Sequence, residues 1–172
     1  MNNNNSFLEF VFRNNKFSLF WFFTRIYLGI TWLESGISKL LNNAWVGENA
    51  GKALGGFVNN SLSKTAGAHP DVSYWYAYFL ENIVLPNTKM FSYMIAFGET
   101  LVGVALILGF WVGITAFFSV FMNTNFLFAG SLGVNPQMLI LGILLMVAYR
   151  TAGYYGLDRF LLKNKNKPSI ET

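Results

Sequence analysis

The sequence predicts an all-α fold: a polytopic membrane protein, a four-transmembrane-helix bundle with a long, partly helical outer connection between the first and second helices. Three observations carry this expectation. Of 172 residues, 53% are apolar and 12% charged, with a mean hydropathy of +0.40, whereas a soluble domain carries about 25% charge. An apolar, aromatic run extends from Phe17 to Leu41. A second apolar run, Met90 to Val134, holds Glu99 as the one charge in 45 residues.

The first run, at ~1.5 Å per residue, spans a ~30 Å hydrocarbon core with some tilt. The second would make a helix on the order of 67 Å long, about twice what a bilayer accommodates, so it folds back once. Gly109 and Gly113 bracket Phe110, Trp111 and Val112, which sets the reversal there, with aromatic residues at an interface. Pro136 opens a further span that ends near Gly153 or Gly156, Pro suiting a first turn and Gly a terminus. The expected organisation is a cytoplasmic N-terminal segment (1–16), a transmembrane domain (17–156) and a basic cytoplasmic tail (157–172). The spans are about 17–41, 90–109, 111–132 and 136–155.

The outer connection, 42–89, is long for a helix–helix loop and is therefore expected to be structured. Leu54, Phe57, Val58 and Leu62 recur at helical spacing, as do Trp75, Tyr76, Phe79, Leu80 and Ile83 before Pro86 ends the pattern. Both segments read as amphipathic helices on the membrane face, as headgroup anchors in preference to a lid over the bundle mouth. Four spans put both termini on one side. Arg13, Lys16, Arg159, Lys163, Lys165 and Lys167 lie there, and Lys52 and Lys64 lie opposite, with Lys39 and Lys89 at the edges. The positive-inside rule makes the termini cytoplasmic in a cell membrane. The run after Phe17 is too long for a signal peptide and contains Arg25.

Composition excludes several chemistries. There is no cysteine, hence no disulfide, thiolate metal site or dithiol redox pair in this chain. The single histidine, His69, precedes Pro70 in a polar stretch, and one imidazole builds no zinc or haem site. No metal is predicted. The net charge is +4, and the basic residues form no stripe interleaved with aromatics, so nucleic acid is not an expected partner.

An ionisable group in hydrocarbon costs several kcal/mol on most scales (roughly 2–4 by insertion), which makes each one inside a span a candidate functional residue. Arg25 and Glu99 lie at comparable depths, ~12 and ~14 Å into their spans, and are expected to form a buried ion pair. Arg150, late in the fourth span, either joins that pair or snorkels to the headgroups. Arg25, Gly29, Trp32, Gly36 and Lys39 recur at spacings of four, three, four and three, on one helix face. The glycines admit a neighbouring helix, and Arg and Trp offer donors and a flat surface for a planar ligand. Glu99 and Gly103 share a face, as do Ser119, Asn123 and Phe126. Asn123 is open between interhelical glue and a hydrogen bond to a carbonyl ligand. Glu34 and Lys39 fall near the outer end of the first helix, within reach of water.

The pattern from Arg25 to Lys39, the Phe97-Gly98-Glu99 triplet and Arg150 resemble the DoxX/DoxD family of four-helix membrane proteins. The likeness runs from about Ile26 to Arg159 and extends to Gly47–Ala53 in the outer connection. It is nearest to members described as the large subunit of a thiosulfate dehydrogenase that reduces quinone. The resemblance implies a multi-pass subunit passing electrons from thiosulfate, with tetrathionate as product, to membrane quinone, and a small partner subunit. In that reading Lys39, Lys52 and Lys89 draw the dianion to the outer mouth, and Arg25 binds an anion or a quinone carbonyl. Glu99 supplies protons, and Trp32 or Phe97 stacks on the quinone. Electrons then pass directly between bound substrates or through another subunit. Two other readings stand beside it: a small-solute transporter or channel with a polar path through Arg25 and Glu99, and a noncatalytic assembly subunit whose glycine face docks a partner helix. A homo-oligomer is compatible with each.

Overall fold

A computed structural model of the chain describes residues 11–12, 14–66 and 68–160. The expected N-terminal segment up to Phe10, Arg13 and the Lys-rich end of the tail lie outside the described residues. Among the described residues the structure is helical and contains no strand.

A short 3-10 turn, Asn15–Phe17, leads into α1 (Ser18–Leu40). The connection 42–89 contributes α2 (Lys52–Leu62) and α3 (Tyr74–Phe79). Next come α4 (Thr88–Leu108), α5 (Val112–Phe128), α6 (Asn135–Val147) and a final turn, α7 (Tyr149–Ala152). By length and composition, one helical stretch, Tyr74–Leu108, is long and apolar enough to cross a membrane, and α5 and α6 are shorter apolar helices.

Two boundaries differ from the sequence reading. Pro86 does not end a helix: it sits in the 3-10 turn Leu85–Asn87, which follows a π-helical turn, Leu80–Val84, and feeds directly into α4. Early in a helical turn, Pro forfeits an N–H that has little to bond to, so the chain stays helical from Tyr74 onward. The last apolar helix breaks at Ala148, between α6 and α7.

α1 packs most extensively on α4, and α5 on α6. Glycines set the first contact. A Cβ on Gly29 would lie 2.8 Å from Ile107, one on Gly36 2.5 Å from the Thr100 nitrogen, and one on Gly103 2.6 Å from the Leu33 nitrogen. These three contacts fix one antiparallel register, Gly29 to Ile107, Leu33 to Gly103 and Gly36 to Thr100. The helices are therefore staggered: the first turns of α1 project past the end of α4. Adding even one methyl to this seam overpacks backbone against backbone. Gly36→Ala is expected to cost about 1–3 kcal/mol in unfolding measurements; unchanged stability would mean that the helices separate without penalty.

The connection 42–89 packs on the helices through a core of its own. Leu54 and Val58 of α2, Val72, and Tyr76, Ala77, Leu80 and Val84 of the helical stretch bury one another with Ala129, forming a second core. Phe91 and Ile95 of α4 pack against that core, so the connection is a layer over one end of the helices.

Polar side chains are buried within an apolar core that includes Trp21, Leu28, Trp32, Leu106 and Leu145, and much of the surface is apolar. Ser18, Arg25, Ser92, Glu99, Thr115, Ser119, Asn123 and Thr151 are buried, while Phe23, Ile30, Met94, Leu101, Phe117, Phe121, Ile140 and Val147 are among the exposed large apolar side chains.

Candidate functional site

The register of α1 and α4 decides which charges meet. With Gly36 against Thr100, position 99 faces position 37. Arg25 lies twelve residues from there along α1, about 18 Å at ~1.5 Å per residue. The expected Arg25–Glu99 pair is therefore not formed. The alignment of span ends that suggested it is overridden by the glycine contacts, which slide α4 toward the C-terminal end of α1.

Glu99 pairs instead with Lys39. The ammonium donates to Glu99 Oε2 at 2.7 Å and to Ser35 Oγ, one turn back on α1, also at 2.7 Å. The side chains of Lys39 and Glu99 are 16% and 1% exposed. Lys39 is thus not the water-bathed residue its position near a helix end implied. Its ammonium also lies 5.1 Å from the centre of the Trp45 ring, a cation–π contact. Glu99 Oε1 is buried without a hydrogen-bond partner.

A cavity of about 340 Å³ opens on this pair. Trp32, Trp45, Phe57, Phe126 and Met138 give it apolar walls, and Thr31, Ser35, Lys39, Glu99, Ser131 and Asn135 give it polar ones. Trp32 is held in place by its indole N–H, which donates to Ser119 Oγ at 2.7 Å and ties α1 to α5. Its ring lies 6.4 Å from that of Phe126. The site is therefore a few convergent polar groups against aromatic faces, the usual make-up of a small-molecule pocket.

The cavity gathers Trp32, Lys39 and Glu99 from the sequence-derived candidates and leaves the others elsewhere. Phe97 is about half exposed on the outer surface of α4, stacked on Tyr93, and does not line the cavity. Asn123 is fully buried with both amide atoms unpartnered, and it too lies off the lining. Arg150 is exposed, its Nε donating to the Tyr149 hydroxyl at 2.9 Å, so it does not join Glu99. Gly29, Gly36 and Gly103 form the α1–α4 seam. His69, Lys52 and Lys89 are exposed. Among the described residues no three His, Cys, Asp or Glu side chains are placed to hold a metal.

Ser35, Trp45, Ser131, Asn135 and Met138 were not singled out by sequence. Ser35 had a signal, standing four residues before Lys39 on one face. Trp45 had none, because its place depends on how the chain turns after α1.

Arg25 is at the other end of the helices and has a different task. Its guanidinium donates through Nη1 to the Leu106 carbonyl at 2.8 Å and Ile107 at 3.4 Å, and through Nη2 to the Tyr155 carbonyl at 2.9 Å. The first two belong to the last turn of α4, where carbonyls lack partners within the helix. Close by, the Asp158 carboxylate accepts from the Trp111 and Val112 N–H groups at 2.7 and 2.9 Å, at the start of α5. A cation thus sits on a helix C-terminus and an anion on a helix N-terminus, each matching the local dipole. Gly109 adopts the left-handed conformation here, and a Cβ on it would lie 2.8 Å from Gly156. Arg25 and Asp158 fasten the α4–α5 reversal to the segment after α7.

These features define a helical protein with an apolar exterior, an ion pair packed inside and an aromatic-walled cavity opening on it. The family described as TQO small subunit DoxD, TQO being thiosulfate:quinone oxidoreductase, matches residues 20–171. The chain belongs to the DoxD family. The family's description is of the small subunit, where the resemblance had implied the large one. No curated protein and no solved structure matches the chain.

Proposed function

We propose that this chain is a four-span membrane subunit of a thiosulfate:quinone oxidoreductase, and that the Lys39–Glu99 cavity holds the quinone headgroup. The spans are α1, α4, α5 and α6–α7, within 17–156, with 1–16 and the basic tail 157–172 in the cytoplasm and the outer connection on the far side. Exposed apolar side chains on α1, α4, α5 and α6 around buried Arg25, Glu99 and Asn123 support insertion, since polar groups in hydrocarbon belong between helices. A companion subunit is part of this reading, as the family's description of a small subunit implies.

The observation that carries the site is a buried carboxylate with one free oxygen, salt-bridged to a lysine, beside two indole faces. A quinone is a planar ring with carbonyls at its edge. Trp32 and Trp45 offer the ring apolar faces, Lys39 offers a carbonyl a charge-assisted donor, and Glu99 relays a proton to the ring oxygen. Two thiosulfates give tetrathionate and two electrons, and the quinone takes up those electrons with two protons to give the quinol. With no cysteine in the chain, sulfur is not carried on a thiolate of this subunit. Electrons enter from a donor on the companion subunit or from thiosulfate held nearby.

The test is thiosulfate-dependent quinone reduction in membranes carrying the chain with its companion subunit. Glu99→Gln is expected to lower kcat on the order of 10²-fold, and Lys39→Met to raise the quinone KM about tenfold. A Glu99→Gln variant with wild-type turnover would remove the carboxyl from the mechanism.

A further inference from the structure

A second cavity, of about 260 Å³, lies between the outer connection and the helices, lined among others by Leu54, Val58, Leu80, Val84, Met94 and Ile95. Its walls are apolar almost throughout. Tyr76 and Asn125 also line it, and they spend their polar atoms on each other and on the backbone. The Tyr76 hydroxyl donates to the Asn125 carbonyl at 3.0 Å and its Oδ1 at 3.1 Å, and Asn125 Nδ2 donates to the Phe121 carbonyl at 2.8 Å. The Tyr76 oxygen and the second Asn125 N–H keep spare capacity, but two groups on an otherwise apolar wall suit a hydrocarbon better than ordered water, as a dry apolar cavity of ~150 Å³ accepts a hydrocarbon ring.

The two cavities share a wall. Phe57 and Phe126 line both, and their rings meet edge to face with centroids 6.2 Å apart and planes at 85°. Two side chains with no polar atoms are thus the partition between a polar chamber at Lys39–Glu99 and an apolar one under the outer connection. Phe57 comes from α2 and Phe126 from α5, so a small displacement of α2 joins the chambers.

We infer that the apolar chamber is a binding site for the hydrocarbon tail of the quinone whose headgroup occupies the Lys39–Glu99 cavity, with the tail passing between Phe57 and Phe126. This rests on the headgroup reading above. It gives the outer connection a purpose: α2 and the Tyr74–Val84 stretch wall a chamber that α4 and α5 alone would leave open to lipid. Burial of the tail supplies binding free energy in proportion to apolar area, while the polar chamber fixes the ring.

The experiment compares two acceptors with one benzoquinone headgroup, with and without a decyl tail, in membranes carrying the chain and its companion subunit. Met94→Trp fills the chamber from its exposed rim, and Ile95→Phe does so with a smaller change of volume. Either is expected to raise KM for the decyl quinone about tenfold and to leave KM and kcat for the tailless quinone unchanged, which also reports that the variants fold. Equal effects on the two acceptors, or none on either, would overturn the tail site and leave the headgroup reading intact. If the wild-type protein reduces neither quinone, the headgroup reading fails and the tail site falls with it.

Discussion

Lys39→Met is expected to lower unfolding stability by about 3–5 kcal/mol, and adding Glu99→Met to that variant to recover most of the loss. The single change strands a carboxylate that is 1% exposed, with Oε1 already lacking a partner, and an uncompensated buried charge costs about that much. The double change removes both charges and both desolvation penalties. It leaves two flexible apolar side chains in a space lined by Trp45, Phe126 and Met138, and exchanging a buried pair for apolar groups is often neutral. The measurement is a double-mutant cycle on the purified protein, by thermal or denaturant unfolding. Additive losses would mean that the 2.7 Å contact carries no coupling. The double variant also separates fold from chemistry: it should stay folded and reduce quinone with kcat at least about 10²-fold below wild type.

The helices were legible because their signals are local. Apolar runs with helical periodicity, a 45-residue stretch too long to cross once, and glycines at 109 and 113 are readable without knowing any neighbour. The α4–α5 reversal, Gly109 to Trp111, follows from them. The π-helical and 3-10 turns around Pro86 do not, because whether a proline ends a helix depends on what packs beside it.

The candidate site was half legible for a similar reason. That Lys39, Trp32 and Gly36 share a face follows from residue spacing. Which residue faces Glu99 does not, because it depends on the stagger of two helices. Gly29, Gly36 and Gly103 were recognised as packing residues one helix at a time, but only their joint fit sets the register. Taking Gly36 against Gly103, or aligning the span ends, gives other offsets and other partners. Asp158 went unnoticed because it stands beyond the last apolar run, where a carboxylate looks solvated. Its contacts to Trp111 and Val112 come from a chain segment 46 and 47 residues away.

Arg25→Met is expected to destabilise the protein by roughly 3–5 kcal/mol while leaving the turnover of each folded molecule near wild type. Two of the hydrogen bonds it loses are short, to Leu106 at 2.8 Å and Tyr155 at 2.9 Å, and bonds to a charged group are worth about 1.5–3 kcal/mol each. Arg25→Lys should recover only part of the loss, because an ammonium cannot span both carbonyls as a guanidinium fork does. Asp158→Asn should cost about 1–3 kcal/mol, since both carboxylate oxygens accept, from the Trp111 and Val112 N–H groups, and an amide keeps one acceptor while setting an NH2 against the other N–H. Unfolding measurements give the first quantity, and thiosulfate-dependent quinone reduction normalised to folded protein gives the second. A catalytic arginine predicts the opposite split, with Arg25→Lys folded but slow. The geometry argues against that outcome: its two terminal nitrogens are on backbone carbonyls, and about 18 Å of helix at ~1.5 Å per residue separates it from the level of Glu99. A buried arginine needs a reason, and here the reason is the end of a helix, whose carbonyls it holds.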